Sequence, residues 1–237
     1  MIKVGAVVIA VISIVVSLAS LVFFTASWAT VGWLGLWVYV GVMIAIFASW
    51  ILVMGWVGKE RNPLKTMDFA IIAMFAALLM VVDAGSMFAP GAAFLWYAFP
   101  QFAGALLSYF PMGVVLAAAL KLSPKRGTAF TVWLVYGILG QVFFFNPVWL
   151  PRHIMLALGL EAYYTSSKRG TTSYLALMGI MFGMLVPSSS IIFQIYSWGF
   201  WQPLFTTLPA VILSGITMAI GSFLGSAIGE RAKTVMY

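Results

Sequence analysis

Two apolar runs open this chain almost back to back, Val4 to Phe24 and Val31 to Val57, and neither contains a charged residue. Each is longer than the ~18–20 residues that carry a helix across a hydrocarbon core. Lipid offers no water to backbone N–H and C=O groups, so a spanning segment must be a helix or a strand of a closed barrel. A barrel would show recurring segments of ~10 alternating residues, and no such period recurs. Composition points the same way. Charged residues make up 7% of the 237 and hydrophobic residues 64%, against roughly 25% charged in a soluble domain. The expected fold is therefore an all-α, polytopic helix bundle in a lipid bilayer. The length of the first run, and the second run directly behind it, favour a retained helix over a cleaved signal peptide.

The polar, uncharged segment Thr25 to Thr30 reads as a turn between these two helices. Gly58 to Thr66 is the most polar stretch of the chain and carries Lys59, Arg61 and Lys65. Pro63 interrupts any helix there. This divides the chain into residues 1–67, a two-helix membrane extension with a cytoplasmic linker, and residues 68–237, a six-helix body. Thr66 or Asp68 is placed to cap the next helix. The body spans are expected at Phe69 to Val82, Phe102 to Leu120, Thr128 to Phe145, Arg152 to Thr165, Thr171 to Val186 and Phe205 to Gly229. Two long irregular stretches are expected between them, Asp83 to Pro100 and Pro187 to Pro203.

That makes about eight transmembrane helices with both termini cytoplasmic. The formal charge of +7 supports the arrangement. Lys3, the 59–65 loop, the 121–126 loop, Lys168 with Arg169, and Arg231 with Lys233 all fall on one side, as the positive-inside rule requires. Arg152 alone among the basic residues falls on the other. The basic charge is thus a topology signal and not a nucleic-acid footprint. The expected location is the cell membrane.

Chemistry-bearing residues are few. There is no cysteine and a single histidine, which excludes thiolate chemistry, disulfides and a multi-histidine metal site within the chain. No phosphate-binding loop, zinc-protease motif or nucleophile elbow is present. No cofactor, metal or catalytic set is expected, and uphill transport would need energy from a partner or an ion gradient. Of the five acidic residues, Glu60, Asp68 and Glu230 fall at cytoplasmic helix ends, where solvated, paired or capping roles suffice. Asp83 and Glu161 fall within or at the ends of spans, where an ionisable group is costly and tends to face a cavity or a partner.

His153, Ala157 and Glu161 follow an i, i+4, i+8 row and share one helix face, with Arg152 beside it at the outer mouth. This row is either a pocket floor in which Glu161 meets a cationic or hydrogen-bonding ligand, or the site of a structural ion pair of Glu161. Trp96, Tyr97, Gln101, Asn146, Trp149, Gln194 and Trp198 gather aromatic and amide groups on the outer side. They suit either a ligand pocket or an interfacial aromatic belt. Small residues form two further stripes that let helices approach closely: Ala73 and Ala77 in the third span, and Gly221, Gly225 and Gly229 in the last.

From Asp68 onward the chain resembles a substrate-binding S component of an energy-coupling factor (ECF) transporter. The alanine-rich segment Ala73-Met74-Phe75-Ala76-Ala77 is similar to the small-residue motif with which such proteins dock their coupling subunit. A long outer connection follows it, and Gly221 to Arg231 resembles the group's glycine-rich, basic-ended terminus. Leu158-Gly159-Leu160-Glu161-Ala162-Tyr163 is similar to a glycine-x-glutamate stretch of thiamin/hydroxymethylpyrimidine permease-like members. Residues 1–67 depart from the group's usual pattern.

The resemblance implies capture of a vitamin or related micronutrient, thiamin-like or pyrimidine-like, from outside. It implies a membrane coupling subunit and ATPase subunits as partners, Ala73 and Ala77 as docking positions, and Glu161 as a pocket position. On this reading Glu161→Gln weakens binding of a cationic ligand. A structural or assembly subunit of a larger membrane complex is the alternative, and an enzyme is not expected.

Overall fold

A computed structural model describes residues 2–58, 63–88, 100–144, 146–199 and 201–236. The described residues are almost entirely helical, with no strand among them. The helices are α1 (Ile2–Ala26), α2 (Trp28–Gly58), α3 (Thr66–Phe88), a short α4 (Pro100–Ala103), α5 (Phe110–Leu122), α6 (Thr128–Phe144), α7 (Leu150–Ser166), α8 (Thr172–Trp198) and α9 (Leu204–Met236). A π-helical stretch, Gly104–Tyr109, joins α4 to α5, and a 3-10 turn, Pro147–Trp149, leads into α7. Six segments among the described residues are long and apolar enough to cross a membrane: Val4–Ala26, Ala29–Gly55, Thr66–Ser86, Gly104–Leu122, Thr172–Trp198 and Leu204–Val235. The chain is thus a helical, multi-pass membrane protein.

Three local expectations need correction. The turn expected over Thr25 to Thr30 shrinks to a bend at Ser27, and α2 kinks instead at Gly32. Gly32 has φ 60°, a left-handed conformation that glycine adopts without steric cost. Asp83 to Phe88, expected to be irregular, is helical, because α3 continues to Phe88, and the rest of that expected stretch up to residue 99 lies outside the described residues. The stretch expected from Pro187 is mostly helix: α8 runs through the proline and stops only at Gly199. Proline removes one N–H from the helix and leaves the Gly183 carbonyl without its i+4 donor, while the serines that follow bond back to other carbonyls of the same helix. Ser188 donates to the Met184 carbonyl (2.8 Å), and Ser189 and Ser190 donate to the Val186 carbonyl (both 2.9 Å). Gly199, at φ 66°, then ends the helix, its N–H bonding the Ile195 carbonyl at 3.0 Å.

The glycine stripe is spent within the chain. α9 lies along both α5 and α8. A Cβ at Gly221 or Gly225 would lie 2.1 Å from the carbonyl oxygen of Phe110 or Val114. Gly179 and Gly183 likewise bring α8 close to the backbone of α9 around Ser214 to Ala219, where an added Cβ would stand 2.6 Å from the nearest atom. Lipid tails are as apolar as leucine, so such close packing does the work that hydrophobic burial does in water.

α7, 17 residues long, is the least apolar of the long helices and lies in the middle. It packs against α1, α2, α6 and α8. Residues from Met155 to Tyr164 on it are fully covered, apart from Leu158. The first two helices supply much of that cover. They pack on α7 and α8 far more than on each other, and Ile9, Leu36 and Phe47 enter the same core as Met155 and Phe182. Gly159 admits the Phe47 ring, which would sit 2.9 Å from a Cβ placed there. A helix with an arginine, a histidine and a glutamate is thereby kept out of lipid.

Candidate functional site

Two polar clusters occupy opposite ends of the bundle, and the helices between them are almost wholly apolar. The first cluster gathers where α3 begins, α7 ends and α5 turns into α6. Asp68 sits three residues after Lys65 and accepts its backbone N–H at 2.6 Å, the reach-back arm of a capping box. The same carboxylate accepts Ser123 Oγ at 2.7 Å and pairs with Lys125 Nζ at 2.6 Å. Lys121 pairs with Glu230 at 2.7 Å and donates to the Gly170 carbonyl at 2.7 Å. Asp68 and Glu230 therefore have the capping and pairing roles expected of them.

Glu161 belongs to this end too. α6 starts at a glycine, Gly127, with φ 87° and no side chain to cap the helix. Glu161 supplies the cap from α7. Its carboxylate accepts the Gly127 N–H at 2.8 Å, the Phe130 N–H at 3.1 Å and the Thr165 hydroxyl at 3.0 Å. These two backbone donors are among those that a helix start leaves unpaired, and a carboxylate there also meets the positive end of the helix dipole.

The His153–Ala157–Glu161 row does share one face, as its spacing requires, and that face lies against α6. Gly137 leaves so little room that a Cβ there would stand 2.6 Å from the His153 Cβ. The space beside Ala157 is closed by helix packing, and Glu161 and His153 address opposite ends of α6.

The second cluster lies at the aromatic end. Its centre is Arg152, 4% exposed. Pro151 in the first turn of α7 and the 3-10 turn before it aim this side chain at α8. There Nε donates to Ser189 Oγ at 2.9 Å, and one terminal nitrogen donates to the Val186 carbonyl at 2.9 Å and to Ser190 Oγ. The guanidinium also faces the Trp149 ring, 5.2 Å from its centroid. Trp149 stacks in turn near Trp198, with ring centroids 5.3 Å apart. Among the described residues no carboxylate forms an ion pair with Arg152.

Asp83, on α3, stands at the same end of the bundle, linked through Tyr136 to the His153 ring beside Arg152. Its Oδ2 accepts the Tyr136 hydroxyl at 2.7 Å. One turn on, Ser86 bonds the Asp83 carbonyl and the Ser108 hydroxyl, both at 2.7 Å. Ser108 comes from the π-helical stretch, whose wide turn leaves the Ala105 carbonyl to accept Thr217 Oγ1 at 2.8 Å. The His153 ring lies edge-on to Tyr136, with centroids 5.7 Å apart.

Unpartnered buried atoms mark this end. His153 Nδ1, Trp149 Nε1, Gln141 Oε1, Tyr196 Oη, Ser197 Oγ and Gln202 Nε2 are covered and have no hydrogen-bond partner among the described residues. Each such atom costs about 1–3 kcal/mol unless water or a ligand meets it.

The structure therefore brings together Asp83, His153, Trp149 and Trp198 and sets Glu161 apart from them. Asn146 and Gln194 lie half-buried at the same end. Trp96 and Tyr97 lie outside the described residues, as does the side chain of Gln101. Tyr136 is a site residue that sequence pattern did not single out, and Ser189 and Ser190 belong to a run of three serines for which the sequence places no base. Arg152 did carry a signal, being the one basic residue on the wrong side of the positive-inside pattern. Ala73 and Ala77 are exposed on the outer face of α3, while Ala76 between them is buried. No group of three or more His, Asp or Glu side chains among the described residues converges as a metal site would. No protein family, curated protein or solved structure matches this chain.

Proposed function

We propose that this protein is the membrane-embedded substrate-capture subunit of a multi-subunit, ATP-driven importer of a vitamin-sized micronutrient. The observation that carries the reading is the buried Arg152 guanidinium. It stands at one end of an apolar bundle, among hydroxyls and aromatic rings, with no carboxylate in ion-pair contact among the described residues. An ionisable group so placed is a functional site by default, and concave sites with aromatic walls and a few oriented polar groups are how proteins hold small molecules.

Sidedness fits the reading. If the lysine-rich end faces the cytoplasm, eight helices place both termini on the cytoplasmic side of the cell membrane and turn the Arg152 end outward, where substrate arrives. The exposure of Ala73 and Ala77 on α3, flanked by Phe69, Met74, Leu78 and Val81, which are also exposed, suits close docking of a coupling membrane subunit. ATPase subunits would bind that partner. Glu161, the position through which the family resemblance favours a thiamin-like or pyrimidine-like ligand, is engaged by three donors of its own chain. We therefore assign capture to the Arg152 end and a capping role to Glu161.

The test is native mass spectrometry of the protein released gently from its own membrane. A retained small-molecule mass, together with ATPase subunits, is the expected result. A stable complex holding neither would refute capture and favour a structural or assembly subunit.

A further inference from the structure

We infer that the Arg152 end binds a small zwitterion, an amino-acid-like molecule whose acidic group meets Arg152 and whose ammonium group meets Asp83. This rests on the capture reading and names the class of molecule captured.

The argument starts from charge balance. Arginine keeps its charge in any protein setting, and a net charge buried in an apolar bundle is expensive. Asp83, on a different helix, accepts the Tyr136 hydroxyl, and the Tyr136 ring lies against that of His153, the residue after Arg152, so the two charges stand at one end of the bundle and together sum to zero. Yet they do not collapse onto each other, since no ion pair joins them among the described residues. Each is instead held back by its own neighbours. Arg152 is tethered to α8 through Ser189, Ser190 and the Val186 carbonyl. Asp83 is tethered to α6 through Tyr136.

Each also keeps an unused polar atom. The bonds to Arg152 involve Nε and one terminal nitrogen, leaving Nη1 without a hydrogen-bond partner among the described residues. Tyr136 engages Asp83 Oδ2 and leaves Oδ1 likewise. A donor and an acceptor of opposite charge, fixed apart in a neutral site, match a ligand with the reverse pair of poles. A purely anionic or cationic ligand would satisfy one pole and leave the cluster with a buried net charge. Trp149, covering the guanidinium, supplies an apolar wall for the body of the molecule.

The experiment uses the full chain in nanodiscs and three matched probes: L-phenylalanine, 3-phenylpropionate (lacking the amine) and phenethylamine (lacking the carboxylate). Isothermal calorimetry should show L-phenylalanine binding at least about tenfold more tightly than either single-pole probe, because a buried charge loses its partner in both other cases. Asp83→Asn should then turn the preference toward 3-phenylpropionate by a similar factor, since only Arg152 remains charged. That gain of binding does not arise from misfolding.

Wild-type preference for the acid or the amine would overturn the zwitterion assignment, as would equal or undetectable binding of all three. A non-zwitterionic small molecule found in the native preparation would overturn this inference and leave the capture reading standing. No small molecule in either experiment would overturn both.

Discussion

Replacing Glu161 by glutamine separates a capping glutamate from a ligand-binding one. The carboxylate accepts three hydrogen bonds, at 2.8, 3.1 and 3.0 Å, two of them from backbone N–H groups at the start of α6. Glutamine retains one acceptor oxygen and turns the other into an NH2 group. Whichever way the amide lies, one part-buried backbone N–H then faces a donor. Leaving such a group unsatisfied costs about 1–3 kcal/mol. A chain of this size loses about 2–4 °C of Tm per kcal/mol, so the apparent Tm should fall by about 2–12 °C. Thermal unfolding in detergent, followed by tryptophan fluorescence, measures this directly. Thr165→Val removes a hydroxyl donor but strands no backbone group, so its effect should be smaller. Ligand affinity in the folded Glu161→Gln protein should be unchanged. An unchanged Tm combined with a tenfold loss of affinity would refute the capping argument and return Glu161 to the substrate site.

Other consequences follow from the same geometry. On the importer proposal, Ala73→Trp with Ala77→Trp should abolish uptake in cells while the purified protein binds ligand normally, because both positions are exposed; parallel loss of binding would mean that the stripe belongs to the fold. Gly225→Leu should destabilise by at least the ~1–3 kcal/mol of overpacking, since even its Cβ would meet the Val114 carbonyl oxygen at 2.1 Å, and an unaltered unfolding temperature would contradict the close α5–α9 contact. Asp68→Ala strands Lys125 and the Lys65 N–H together, and a loss of about 1–3 kcal/mol is expected from the charged hydrogen bonds. Deleting residues 1–67 should leave a body that does not accumulate as a monodisperse species in size-exclusion chromatography, because Ile9, Leu36 and Phe47 are core residues over α7.

The sequence alone determined that the chain is a bundle of membrane helices, and the reason is local. Each apolar run satisfies its own backbone hydrogen bonds, so length and hydropathy suffice to recognise it. The close-packing purpose of Gly221, Gly225 and Gly229 was legible for a similar reason, since a spacing of four repeats one helix face. Where helices ended was less legible. Pro187 and the serines after it look like a loop in one dimension, but within the bundle they continue a helix, because proline removes a single backbone hydrogen bond and packed neighbouring helices hold the turn in place. Site membership was decided only by tertiary structure. Glu161 and His153 share a face by spacing, yet α6 runs antiparallel beside them, so one caps its start and the other packs near its end. Tyr136, Ser189 and Ser190 carry no signal of charge or depth in the sequence. They become site residues because α6 and α8 happen to flank the first turn of α7, where Arg152 must find partners out of reach of water.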